Sequence, residues 1–157
     1  MNVAMASDHA GFELKQVLLD HVRGLGHEVV DVGTHSPESV DYPDYAVKLA
    51  AELLSGRAER GILLCGSGIG ASVAANKIPG IRAGNVQDHY SAHQGVEHDD
   101  MNVLVLGGRI VGQMPAIEMC EAFLAAAYTG EPRHQRRLDK VHAIERDPMG
   151  MVEASRD

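Results

Sequence analysis

Ile62-Leu63-Leu64-Cys65-Gly66-Ser67-Gly68-Ile69-Gly70-Ala71-Ser72 is the stretch that decides the architecture. An apolar strand ends in a cysteine, a glycine-rich turn follows at once, and Val73-Ala74-Ala75-Asn76-Lys77 then favours helix. This order sets a thiol at the C-terminal end of a strand, beside a helix start whose free backbone N–H groups attract anions. A thiol held there loses its proton more easily than an ordinary one, whose pKa is about 8.5. The arrangement suits either anion binding or proton transfer at carbon.

Strand and helix signals alternate on both sides of this turn. Short apolar runs predict strands over residues 2–6, 28–32, 61–65, 81–86 and 102–106. Between them, residues 12–25 place Leu14, Leu18, Val22 and Leu25 on one helical stripe, ended by Gly26. Residues 44–54 and 88–97 read as further helices, and 115–128 as a long one with Ile117, Cys120, Leu124 and Ala127 facing inward. Five strands separated by helices mean βαβ units and a parallel sheet covered on both faces. The expected fold is α/β, a single-domain three-layer αβα sandwich with a five-stranded parallel sheet of Rossmann-like type. One domain spans residues 1–145, and residues 146–157 form a polar, loosely held tail without periodicity.

Composition narrows the function. The 157 residues suffice for one core, and with 4% aromatics and no tryptophan that core is aliphatic. No apolar run approaches the roughly 20 residues of a membrane span, and the first strand begins right after Met1 with no basic stretch or cleavage site, so secretion is not expected. Two distant cysteines, Cys65 and Cys120, suit a reducing compartment, so a cytoplasmic protein is expected. A net charge of −8 argues against a nucleic-acid surface. Arg133, Arg136, Arg137 and Lys140 nevertheless cluster, which points to a small anionic ligand or to a solvated helix face. The nine histidines show no metal-ligand spacing, so no metal is expected.

Right-handed crossovers place every strand's C-terminal end on one edge, where open α/β sheets bind ligands. Loops there bring Asp8, His9, Cys65, Ser67 and Arg109 to one cleft, while Arg133 and Arg137 share a helix face. Taken singly, each has a plainer reading. Cys65 can be an inert core thiol, Asp8 a helix cap near Gly11, and His98 a solvent-exposed residue among acids. Gly66-Ser67-Gly68-Ile69-Gly70-Ala71 also satisfies the G-x-G-x-x-[G/A] dinucleotide pattern, with Asp88 further on. That motif normally opens the first βαβ unit, whereas here it follows the third strand with only two more to come.

At these positions the chain resembles the RpiB/LacAB sugar-phosphate isomerases, and among them the type B ribose-5-phosphate isomerases. The likeness rests on Ser7-Asp8-His9-Ala10-Gly11-Phe12, Asp41-Tyr42-Pro43, the Cys65 turn running into Asn76-Lys77, and His98 shortly before Asn102-Val103-Leu104. Gly107-Gly108-Arg109 and Arg133-His134-Gln135-Arg136-Arg137 complete it, over about residues 1–145. The resemblance implies interconversion of ribose 5-phosphate and ribulose 5-phosphate through a cis-enediolate, without metal or organic cofactor. It implies Cys65 as the base, His98 taking the anomeric proton on ring opening, and Asp8 and Ser67 as helpers. Gly66, Gly68 and Gly70 would supply backbone N–H groups to the enediolate oxygen. His9, Arg109, Arg133 and Arg137 would hold the phosphate, with Tyr42 and Asp99 at the sugar. A homodimer or tetramer with active sites shared across the interface is implied as well.

Three positions shape the expectation. Some members carry a glutamate base in the glycine-turn region, but residue 71 is Ala, which leaves Cys65 as the matching base. Ser67 stands where Thr is common and keeps the hydroxyl. Asp99 stands where Asn is common, and a carboxylate cannot donate to a sugar oxygen. Alternatives are therefore an isomerase of allose 6-phosphate, galactose 6-phosphate or a tetrose phosphate. From another class comes a non-catalytic nucleotide- or phosphate-binding module.

Overall fold

The structure, a computed structural model, describes residues 1–156. Five strands alternate with helices in the order β1 (Asn2–Ser7), α1 (Phe12–Gly24), β2 (Glu28–Asp31), α2 (Tyr42–Leu54), β3 (Arg60–Cys65), α3 (Ile69–Ala75), β4 (Ala83–Asn85), α4 (His89–Asp99) and β5 (Val103–Gly107). Three helices close the chain, α5 (Gln113–Ala125), α6 (Pro132–Arg146) and α7 (Pro148–Ala154). Every strand pair is parallel, in the order β2-β1-β3-β5-β4. The expected single α/β sandwich is thus what the chain forms. Among the described residues, no helix is long and apolar enough to cross a membrane.

Alternation along each strand sorts the core into two layers. Met5, Ile62, Leu64, Leu104 and Leu106 pack against α1, α4 and α5 in the larger one. Ala4, Ala6, Leu63, Cys65, Val103 and Val105 pack against α2 and α3, where small residues let these helices sit close to the sheet. The strand order places the site. After β1 the chain turns outward to β2, and it then crosses back to the other side of β1 for β3. Loops leaving β1 and β3 diverge at this switch point, opening a crevice beyond their C-terminal ends.

Several element ends differ from the expected ones, for local reasons. α5 stops at Ala125 rather than 128 because Arg60, at the start of β3, donates to the carbonyls of Phe123 and Ala126 and takes up the helix end. Burial in that role lowers the Arg60 pKa from its ordinary value. Ala127, expected inside, lies beyond this end and is exposed, as is Leu25 just past α1. The buried stripe of α1 is instead Lys15, Leu18, Leu19 and Val22. β4 is only three residues long, since the Asn102 side chain takes the Arg82 N–H that a longer ladder would use. Asp88 lies outside α4 as its cap; bonds from the Ser91 N–H and hydroxyl hold its carboxyl below the usual range. Residues 146–157, expected as a loose tail, contain α7, none of whose side chains is buried; Asp157 lies outside the described residues.

Candidate active site

A cleft of about 340 Å³ opens at the switch point, lined by Asp8, Tyr42, Cys65, Gly66, Ser67, Gly70, Arg109 and Ile110. The loop after β1 delivers Asp8, which is 6% exposed. Its Oδ1 accepts from the N–H groups of Ala10 at 2.8 Å and Gly11 at 3.1 Å. Asp8 therefore closes the turn that leads into α1 rather than capping the helix itself, whose N-cap is Gly11. Oδ2 takes part in neither bond.

Cys65 ends β3 and is 4% exposed, with its side chain on the α2/α3 face. The Gly68 N–H donates to Sγ at 3.1 Å. Gly68 can turn back in this way because it adopts φ +82°, the left-handed region that other residues enter at a cost. The Ser67 hydroxyl accepts from the Ile69 N–H at 3.3 Å. Cys120 makes a contrast, since burial pushes its thiol up to about 12, with Glu121 adding to the effect. It has no polar partner and sits in the α5 core.

The loop after β5 is latched to the cysteine turn by two backbone bonds, Gly108 N–H to Cys65 O at 2.8 Å and Arg109 N–H to Gly66 O at 3.0 Å. These bonds fix the guanidinium of Arg109 at the cleft. Tyr42, the first residue of α2, lays its ring on the first turn of α3. A Cβ at Gly70 would come within 2.7 Å of its Cζ, so the glycine there makes room for the ring.

One chain therefore gathers Asp8, Tyr42, Cys65, Gly66, Ser67, Gly70 and Arg109, with Gly68 directly behind the sulfur. His9 stands beside this cleft without lining it, its Nδ1 taken by the Val40 N–H at 3.2 Å. His98, Asp99, Arg133 and Arg137 do not line it either. They belong to the end of α4 and to α6, and α4 packs on the other face of the sheet from Cys65. Arg133 is exposed with its Nε 3.0 Å from Glu131, and Arg137 and Asp99 are exposed. His98, expected as either exposed or catalytic, is half-buried against His134, with ring centroids 3.9 Å apart.

A larger cavity of about 620 Å³ lies between α6 and the β4 edge, lined mainly by Ile81, Met101, Leu138, Val141 and Ile144. Arg82, its cation nearest the sheet, is already paired with Asp100 at 2.5 Å. Among the described residues that line it, the one hydroxyl, that of Ser91, is already given to Asp88 at 2.8 Å and there is no thiol, so the smaller cleft, with thiol, carboxyl and guanidinium together, is the candidate site.

Sequence reading missed Ile110 as a cleft wall, Gln94 and His134 as neighbours of His98, and the buried Lys15. Only Lys15 had a signal of its own, a lysine occupying a core position of the α1 stripe. Its Nζ pairs with Asp31, which also accepts from the Gly33 N–H at 3.0 Å. Gly33 and Thr34 in turn bond the backbone of Ser7, next to Asp8.

Comparison with known proteins identifies the family. The profile of the Ribose/Galactose Isomerase family matches residues 3–141. Ribose-5-phosphate isomerase B of Escherichia coli is 45% identical over 143 residues, covering 91% of this chain and 95% of its own length. Among solved structures, ribose-5-phosphate isomerase B of Clostridium thermocellum superposes with a TM-score of 0.91 at 44% identity, covering 93% of this chain and 98% of that one. The enzyme of Mycoplasma genitalium, solved with bound ribulose-5-phosphate, gives 0.87 at 37% identity, covering 93% and 97%. The chain belongs to the ribose/galactose isomerase family, that of the RpiB/LacAB sugar-phosphate isomerases.

Proposed function

We propose that this chain interconverts ribose 5-phosphate and ribulose 5-phosphate. The observation that carries the reading is the cleft itself, where the Cys65 thiol, the Asp8 carboxyl and the Arg109 guanidinium converge at the switch point of a family member. The furanose must first open. The anomeric hydroxyl loses its proton, the C1–O4 bond breaks, and O4 gains a proton. Asp8, with Oδ2 free, takes the first proton, helped by the Ser67 hydroxyl. His98, expected above to take the anomeric proton, supplies the second instead, since the Gln94 amide nitrogen 2.7 Å from its Nδ1 leaves the ring's proton on Nε2.

Isomerisation then needs one proton moved between carbons. Cys65, as thiolate, removes the proton from C2 of the open aldose, and the electrons shift to O1 to give the cis-enediolate. The same thiol returns a proton to C1, while the O2 hydroxyl proton passes to O1, leaving the carbonyl at C2. The Gly70 and Ala71 N–H groups, in the first turn of α3, have no carbonyl one turn back within the helix and stabilise the enediolate oxygen. The Gly68 N–H serves the sulfur instead.

Arg109 and His9 face the phosphate, and Tyr42 walls the sugar. His98, Asp99, Arg133 and Arg137, separated from this cleft within one chain, reach it from a second copy, so the functional unit is a homodimer with shared sites. Initial rates on ribose 5-phosphate, allose 6-phosphate, galactose 6-phosphate and a tetrose phosphate test the reading. Ribose 5-phosphate should lead in kcat/KM by at least about tenfold, or about 1.4 kcal/mol. A hexose phosphate in the lead, or no turnover of any sugar alongside saturable NAD binding, overturns it.

A further inference from the structure

α4 carries Gln94 one turn before His98, on the same face. The Gln94 side-chain nitrogen lies 2.7 Å from His98 Nδ1. An amide nitrogen offers only hydrogens, so Nδ1 must present its lone pair, and the neutral ring then carries its proton on Nε2.

The ring's face is fixed as well. His134 lies against it at 3.9 Å with a tilt of 32° and is itself 1% exposed. His134 Nδ1 is 3.0 Å from the Thr129 hydroxyl. That hydroxyl spends its single hydrogen on the Glu97 carbonyl at 3.0 Å, so His134 must be the donor. A second bond, Thr129 N–H to the same carbonyl at 3.1 Å, ties the loop before α6 to the last turn of α4. The two histidines therefore hold opposite tautomers, each set by one side-chain partner. Glu97 and Asp99 flank His98 on α4, with Asp100 just after it, and the charges that act on its partner His134 are those of Arg133, Glu131 and Arg137.

We propose that Gln94 is a positioning residue for ring opening, fixing His98 in the Nε2–H tautomer so that Nε2 arrives at the sugar as a donor to O4. His134 keeps the ring in plane and links it to the helix that bears Arg133 and Arg137. This inference rests on the ring-opening role given to His98 above.

The test joins a spectrum to a directional rate. Nitrogen-15 spectra of the imidazoles report each tautomer, with His98→Asn identifying the His98 signals among nine histidines. Gln94→Glu keeps the side-chain length but replaces the donor with an acceptor, and Gln94→Leu removes both. In the natural protein Nδ1 should be unprotonated, and in Gln94→Glu it should carry a proton. Turnover from ribose 5-phosphate should fall roughly tenfold or more in both variants. Ribulose 5-phosphate has its O5 esterified and cannot close a furanose, so exchange of its C1 hydrogen with heavy water, which precedes any closing of the aldose ring, should hold. A His98 tautomer identical in all three proteins overturns the role of Gln94 while leaving that of His98 standing. A shifted tautomer with unchanged turnover from ribose 5-phosphate overturns the ring-opening role of His98, and the proposal with it. An equal fall of that turnover and of the C1 exchange overturns the restriction to ring opening.

Discussion

Gly11→Ala adds one carbon where α1 comes closest to β3. A Cβ there would lie 2.6 Å from Leu64 Cβ and 2.9 Å from its carbonyl carbon. The backbone at Gly11, φ −97° and ψ −4°, is open to alanine, so the cost is steric alone. Carbon atoms rest at about 3.5–4.0 Å, so one side must retreat by roughly 1 Å. Leu64 is paired with both Ser7 of β1 and Leu106 of β5, which leaves the start of α1 as the part that yields. Overpacking of this kind costs about 1–3 kcal/mol, or roughly 2–12 °C in Tm for a chain of this size. Activity should suffer more. The Ala10 and Gly11 N–H groups hold Asp8, so the shift passes directly to a cleft carboxyl. A misplacement of about 1 Å costs about a hundredfold, or roughly 2.7 kcal/mol of barrier. Steady-state kcat/KM on ribose 5-phosphate and a thermal melt read the two effects. Gly24→Ala, whose Cβ meets nothing within 4 Å, is the control and should gain about 0.5–1 kcal/mol of stability with unchanged activity. Natural kcat/KM in Gly11→Ala would refute the reasoning.

Lys15→Met should cost about 3 kcal/mol of unfolding free energy in a urea titration, because it strands Asp31, 18% exposed, without its cation, and adding Asp31→Asn should recover most of that loss. Arg137→Ala should raise KM by roughly tenfold or more through a lost charge-assisted phosphate contact, with a smaller change in kcat in the same initial-rate series. His134 is held below its ordinary 6.5 by burial first, then by His98 and Arg133. Its folded value being the lower one, the unfolded chain takes up a proton first on acidification. Its contribution is therefore whole above 6.5 and drains as pH falls toward the folded value. Protection factors along α6, taken relative to the intrinsic exchange rate at each pH, should be lower at about pH 5.5 than at about pH 7.5, and His134→Phe should flatten that difference.

The cleft was legible because parallel topology is itself a placement rule. Once five strands are recognised, Asp8, Cys65 and Arg109 share an edge whatever their separation in the chain. The glycines of the cysteine turn carried the rest, since Gly68 is needed for its left-handed backbone and Gly70 for the ring of Tyr42. What stayed hidden depends on partners far along the chain. α5 ends where Arg60, more than sixty residues earlier, reaches its carbonyls. Lys15 is visible as a lysine in an apolar stripe, but only the fold supplies Asp31. The stack of His98 on His134 exists because α4 packs on α6, and no spacing within either helix announces it.

The account stands on Cys65 as the group that carries the proton between C1 and C2. Cys65→Ala, folded by circular dichroism and titrated with ribulose 5-phosphate by calorimetry, should bind the sugar phosphate as the natural protein does. Incubated with that ketose in heavy water, it should incorporate no deuterium at carbon and produce no aldose. Deuterium uptake at the natural rate would contradict the assignment.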